Sequence, residues 1–215
     1  MGDIIMNIHI IALDNHDFLV LFFVISMIIY FIKYFLFGKK QKRKYWIYPV
    51  FVFYLLALVD YAMLPIFIYG KKELVEIYGS SSGQSVSVYL QLIPFKTLFG
   101  YLGEWNFYQI IGNIIMLMPV PFFIYLFREN SSMKKMAFCS IMAAFGIEFI
   151  QLCIDLFTGY ANRICDIDDF ILNSVGAVLA AGIICILRKK ICFQKLYYIF
   201  VYRKKDMDSF GAVRG

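Results

Sequence analysis

KKMAFCSIMAAFGIEFIQLCIDLF, residues 134–157, decides what kind of protein this is. From Met136 to Phe157 the only strongly polar side chains are Glu148, Gln151 and Asp155, with one serine, Ser140. A bilayer-spanning helix needs about 20 mostly apolar residues, so the stretch is long enough to cross a membrane. On a helix Glu148, Gln151 and Asp155 stand at i, i+3 and i+7, and Ala144 and Ser140 continue the same face. Phe, Ile and Leu cover the remainder. Ionisable groups in hydrocarbon are costly unless they face a bundle interior, a cavity or a partner. The stretch therefore predicts a membrane helix whose polar stripe faces protein and whose apolar surface faces lipid.

The rest of the chain agrees. Its 215 residues are 61% hydrophobic and only 17% charged, and a soluble domain of that length could not hide so much apolar surface. Segments at about 18–37, 46–69, 107–127, 136–157 and 169–187 each have spanning length. The expected fold is an all-α polytopic membrane helix bundle of about five transmembrane helices. Pro119 and Pro121 predict a kink in the third segment. The division follows: residues 1–45 hold one transmembrane helix and a basic linker, 46–187 a four-helix membrane domain, and 188–215 a basic, aromatic tail.

Charge sets orientation. The net charge of +6 is concentrated beside the spans, in GKKQKRKYW (38–46), RENSSMKK (128–135) and the RKK that follows the fifth segment. The opposite side carries only Lys71, Lys72, Lys96 and Arg163. The positive-inside rule then puts the N-terminus outside and the C-terminus in the cytoplasm. Basic residues placed this way argue for topology and not for nucleic acid. Within the outer loop 70–106, a flexible GSSSGQS precedes LQLIPFKTLFGYL (90–102), which is too apolar to float in water. It is expected to re-enter or to lie on the outer interface. The tail ICFQKLYYIFVYRKK (191–205) is read either as an interfacial helix on anionic lipid or as packing against the bundle. Five cysteines show neither C-x-x-C nor His/Cys ligand spacing, so no structural metal and no cofactor is expected. His9 and His16 are placed on the surface, outside the first helix.

Polar residues converge near the outer ends of the spans. Asp166, Asp169 and Asn173 stand at i, i+3 and i+7, and Gly176, Ala177 and Ala180 extend that face inward. Asp168 points elsewhere, toward a helix-capping role or water. Gln109 and Asn113 share a face of the third segment, and Asp60 is a lone acid in the second. Arg163 lies in the short connection directly above. The candidate ligand-binding set is Asp60, Gln109, Asn113, Glu148, Gln151, Arg163, Asp166, Asp169 and Asn173. Other roles stay open for several of these. Asn113 and Asn173 suit interhelical hydrogen bonding, worth about 1 kcal/mol per bond. Arg163 with Asp166 or Asp169 suits a clamp on the connection between the fourth and fifth spans.

The order of LIPF (92–95), QIIGNIIMLMPVPFF (109–123), IEFIQ (147–151) and NRICDIDDFILNSVGA (162–177) resembles the VanZ-like family of bacterial membrane proteins. The likeness covers about residues 46–187. Carried over residue by residue, the family's polar set falls on Asn113, Glu148, Gln151, Arg163, Asp166, Asp169 and Asn173, which the helical stripes select independently. The chain departs at Pro121, where the family usually has glycine, and Asp60 has no place in the shared pattern. The resemblance implies a multi-pass protein of the bacterial cell membrane. The name-giving member is associated with resistance to teicoplanin, a lipoglycopeptide acting at the cell envelope.

Three functions fit these residues. The first is an outward-facing polar pocket for an envelope amphiphile, either a lipid-linked precursor or the lipoglycopeptide, with membrane lipids around it. The second is a membrane enzyme, with Glu148 as general acid or base and Asp166 and Asp169 holding a divalent metal; no nucleophile triad accompanies them, and Asp-x-Asp-Asp alone is weak. The third is a structural or partner-binding subunit, its polar residues serving as bundle glue.

Overall fold

A computed structural model describes residues 8–12, 14–37, 47–79, 86–128 and 131–201. The basic linker at 38–46, all of GSSSGQS but its first glycine, Glu129 and Asn130, and the basic end of the tail lie outside the described residues. The chain forms β1 (Ile8–Ile11), α1 (Asn15–Phe37), α2 (Ile47–Met63), β2 (Ile66–Tyr69), α3 (Lys71–Tyr78), a 3-10 turn (Val86–Val88), β3 (Leu90–Gln91) and α4 (Lys96–Gly103). It continues as α5 (Phe107–Met116), α6 (Pro119–Phe127), α7 (Met133–Thr158), β4 (Cys165–Asp166), α8 (Ile167–Leu187) and α9 (Ile191–Val201).

Among the described residues, four stretches are long and apolar enough to span a bilayer: one in α1, one formed by α5 and α6 together, α7 and α8. The fifth expected span is shorter than its sequence suggests. α2 has 17 residues, about 25 Å at 1.5 Å per residue. It ends before Pro65, which lacks an N–H and disfavours helix in the residue ahead of it. The remainder of that apolar run becomes β2, antiparallel to β1 from Ile8↔Tyr69 to Ile11↔Ile66. Neither strand was expected; alternate short apolar runs carry no local mark of helix or strand. The third span is broken outright at Leu117 and Met118. Pro119 and Pro121 cannot donate to the Ile115 and Leu117 carbonyls, which accept instead from the Met118 and Val120 N–H groups (both 3.1 Å), and the Tyr54 hydroxyl donates to the Met116 carbonyl (3.0 Å).

α7 shows the inverted pattern of a membrane helix. Ser140, Ala144, Glu148 and Asp155 are buried, whereas Phe138, Met142, Phe145, Phe149 and Phe157 are exposed. Its ends are ordinary: the Ser132 hydroxyl accepts from the Lys135 N–H (3.2 Å), and Gly159 leaves the helix in the left-handed region (φ 67°). α8 lies against α7, α5 and α6. Its small face permits the closest contact in the bundle. A Cβ on Gly176 would sit 1.8 Å from the Ile114 carbonyl oxygen, so α5 and α8 meet backbone to backbone. Leu117, Ala144, Ile147, Ala177 and Ala62 fill the adjoining core.

A second core, nearer the α6–α7 turn, joins Ile47, Phe123, Met136 and Ile184 to Tyr197 of α9. Tyr197 packs against Tyr125 at a tilt of 45°, with ring centroids 4.7 Å apart. The described part of the tail therefore does pack against the bundle. α1 touches α2 through Phe18 and Phe22 against Phe53 (5.5 and 5.9 Å). Its other faces leave Phe23, Met27 and Phe31 exposed, as a lipid-facing helix would. His16 is a correction: α1 begins at Asn15, so this residue belongs to the first helical turn, which opens with the Asp17 N–H donating to Asp14 Oδ1 (2.7 Å). His9 lies in β1.

Candidate functional site

At the end of the bundle where α2 and α7 finish and α5 and α8 begin lies a cavity of about 820 Å³. All nine candidate residues line it: Asp60 from α2, Gln109 and Asn113 from α5, Glu148 and Gln151 from α7, Arg163 from the α7–β4 connection, Asp166 from β4, and Asp169 and Asn173 from α8. The helical faces read from the sequence converge here because α7 and α8 are antiparallel neighbours joined by a short connection, and α5 is pressed onto α8 at Gly176.

Hydrogen bonds fix much of the wall. Glu148 is buried, and its Oε2 accepts from the Asp166 backbone N–H (2.9 Å). Asn113 is buried, and its Nδ2 donates to Asp169 Oδ1. Gln151 donates to the Ala62 carbonyl at the end of α2 (2.8 Å). Arg163 does not clamp an acid: its Nη2 donates to the Leu64 carbonyl (2.9 Å), beside the turn that ends α2. Asp155, also on the α7 stripe, holds the connection, its Oδ1 accepting from the N–H groups of Asn162 (2.9 Å) and Arg163 (3.3 Å). Asn173 is fully buried, yet neither Oδ1 nor Nδ2 has a partner. The interhelical hydrogen bond that Asn173 suits is not formed. An unmatched amide in a cavity wall is costly unless something occupies the cavity.

Asp168 stays outside the cavity but does not meet water. It is 2% exposed, and its carboxylate accepts from the N–H groups of Phe95 (2.6 Å), Thr97 (2.9 Å) and Leu98 (3.0 Å). It caps α4, a helix distant in sequence. Asp166 caps α8 itself, accepting from the Asp168 N–H (2.8 Å). The residue before α4, Phe95, sits in the left-handed region (φ 67°) and offers no side-chain cap, so the acid from α8 supplies what the local sequence lacks. The Thr97 hydroxyl adds a bond to Asp166 Oδ2. The apolar run 90–102 is thus tied over the cavity by its polar backbone, while Leu92, Ile93, Phe99 and Leu102 remain exposed.

Several lining residues escape the sequence reading. Thr97 and Tyr101 of α4, Gln91 of β3, Tyr61 and Asn162 all line the cavity. β3 reaches it by pairing in parallel with β4, Gln91 opposite Asp166. Asn162 bridges the α7–β4 connection to β2, exchanging bonds with the Phe67 N–H (2.6 Å) and carbonyl (3.3 Å). Burial and the neighbouring Asp169 and Asp166 push the Tyr101 phenol up to about 12, so it stays a neutral donor. Thr97 alone had a signal, a hydroxyl placed just inside an apolar run that follows proline. Burial, reinforced by Glu148, Asp166 and Asp155, pushes the Cys165 thiol up to about 11.

Among the described residues, the group of three potential ligands whose donor atoms lie within 4.8 Å of one another is Asp14, His16 and Asp17, all exposed. Comparison with curated proteins and with solved structures gives no match. The family model described as VanZ/LLP1 matches residues 51–188, more than half of the chain, and that span contains the entire nine-residue cavity set. With four membrane-length helices among its described residues, this multi-pass membrane protein belongs to the VanZ/LLP1 family.

Proposed function

We propose that the cavity opens on the outer side of a bacterial cell membrane and holds the polar head of an envelope amphiphile, contributing in this way to lipoglycopeptide (teicoplanin) resistance. The carrying observation is Asn173: a fully buried amide without hydrogen-bond partners, in the wall of a cavity lined by four acids and an arginine. Such a lining binds a polar group and repels an acyl chain. The exposed apolar residues of 92–102 lie beside it and suit contact with the rest of an amphiphile. The outward orientation rests on the basic junctions at the opposite ends of the helices. The region 46–187 acts as the functional domain in this reading, with α1 and the tail as anchors.

Glu148→Gln and Arg163→Lys test it. Both are expected to raise teicoplanin susceptibility at matched membrane abundance in cells that depend on this protein. Unchanged susceptibility would remove the resistance role. A second reading has its own support: the bonds from Gln151 to the α2 terminus and from Asn113 to Asp169 are bundle glue. A structural subunit predicts that the same substitutions lower abundance and leave activity per molecule intact.

A further inference from the structure

The cavity's unused hydrogen-bonding capacity is unevenly distributed. Asp166 is fully engaged, with Oδ1 on the Asp168 N–H and Oδ2 on the Thr97 hydroxyl. Glu148 commits Oε2 to the Asp166 N–H, and Asp169 commits Oδ1 to Asn113. That leaves Glu148 Oε1, Asp169 Oδ2 and the Asn173 amide, from α7 and from one face of α8, together with Asp60, which is exposed, and Gln109, all lining the same cavity. Four acids face one guanidinium there. Glu148 and Asp166 are buried, Asp169 is half-buried and Asp60 is exposed; carboxylates brought together away from water repel one another and need a cation or a proton.

We propose that this cavity binds a primary ammonium group, which donates to Glu148 Oε1, Asp169 Oδ2 and Asn173 Oδ1. The proposal rests on the pocket reading above and names its ligand chemistry. An ammonium carries three N–H donors and no acceptor, which suits a lining rich in free acceptors and in acids. A quaternary ammonium has no donor to offer. Arg163, in the same wall, suits an anionic group attached to or accompanying the amine. The ammonium can belong to an aminophospholipid headgroup or to a free amine, and the experiment separates these.

The full-length chain in detergent is titrated with phosphatidylethanolamine, phosphatidylcholine and phosphatidylglycerol of matched acyl chains, and bound lipid is counted by native mass spectrometry. In parallel, thermal unfolding of the wild type is followed with ethanolamine and with choline. A preference for phosphatidylethanolamine of about tenfold, the worth of one charge-assisted hydrogen bond, lost in Glu148→Gln and in Asn173→Leu, supports a headgroup. Stabilisation by ethanolamine but not by choline, with no lipid preference, supports a free amine. Equal binding of the three lipids together with equal effects of the two amines overturns the ammonium, and needs no variant to fold. A phosphatidylethanolamine preference that survives both substitutions also overturns it. If phosphatidylglycerol then binds in a manner abolished by Arg163→Ala, the pocket reading stands without the ammonium; if no lipid responds to any cavity variant, both fall.

Discussion

Removing the Asp168 carboxylate should release the segment over the cavity without unfolding the bundle. Three backbone N–H groups converge on this one side chain at 2.6, 2.9 and 3.0 Å. Hydrogen bonds to a charged group contribute about 1.5–3 kcal/mol each, but here they share one carboxylate and end on amides that are only part-buried, where water recovers some of the loss. Asp168→Ala should therefore cost about 3–4 kcal/mol locally. At 1.4 kcal/mol per tenfold, that raises the opening equilibrium of residues 92–103 by about 10²–10³. Asp168→Asn keeps one acceptor oxygen and turns an NH₂ toward an N–H, so it should lie between. Hydrogen–deuterium exchange by mass spectrometry in micelles reads this directly, with the interior of α8 as reference. Unchanged exchange over 92–103 in Asp168→Ala would refute the capping role. Equally accelerated exchange in α8 would show that Asp168 supports the whole fold and not a local clamp.

Gly176→Ala places a methyl 1.8 Å from the Ile114 carbonyl oxygen, where real contacts essentially never fall below 3.0 Å, so α5 and α8 must part by more than 1 Å. The expected cost is at least ~1–3 kcal/mol, seen as a lower thermal midpoint; Gly146→Ala, with nothing within 4 Å of its added Cβ, serves as control and should be neutral or stabilising. Cys165 should resist maleimide at neutral pH. The thiolate is the nucleophile, and a thiol pushed to about 11 presents roughly two orders of magnitude less of it at pH 8 than an ordinary thiol near 8.5. Its alkylation rate should climb with each pH unit toward 11 and become ordinary once the chain is denatured; rapid labelling of folded protein at pH 7 would contradict the burial.

How far the fold was legible follows from range. The spans at 136–157 and 169–187 became α7 (Met133–Thr158) and α8 (Ile167–Leu187) because long apolar periodicity is a local property. The second span failed at Pro65, where β1, more than fifty residues earlier, pairs with the chain that would have been helix. The nine cavity residues were legible for the same local reason: a polar stripe on a lipid-bathed helix must face protein, and four such stripes near one end of a bundle must meet.

What each polar group does on arrival was not legible. Asp166, Asp168 and Asp169 are near neighbours with one side-chain chemistry. Their roles separate only when residues 95–98 reach α8 and claim Asp168, Thr97 claims Asp166, and Asn113 from α5 claims Asp169. Asn173 is covered by its neighbours, yet none of them brings a donor or acceptor to its amide. The sequence by itself determined which faces turn inward, because in a bilayer an inward polar stripe is the low-energy choice for each helix alone. Only the tertiary structure decided which acids are consumed as caps and which remain open, because a hydrogen bond needs its partner within about 3 Å, and that distance is set by segments far apart in the chain.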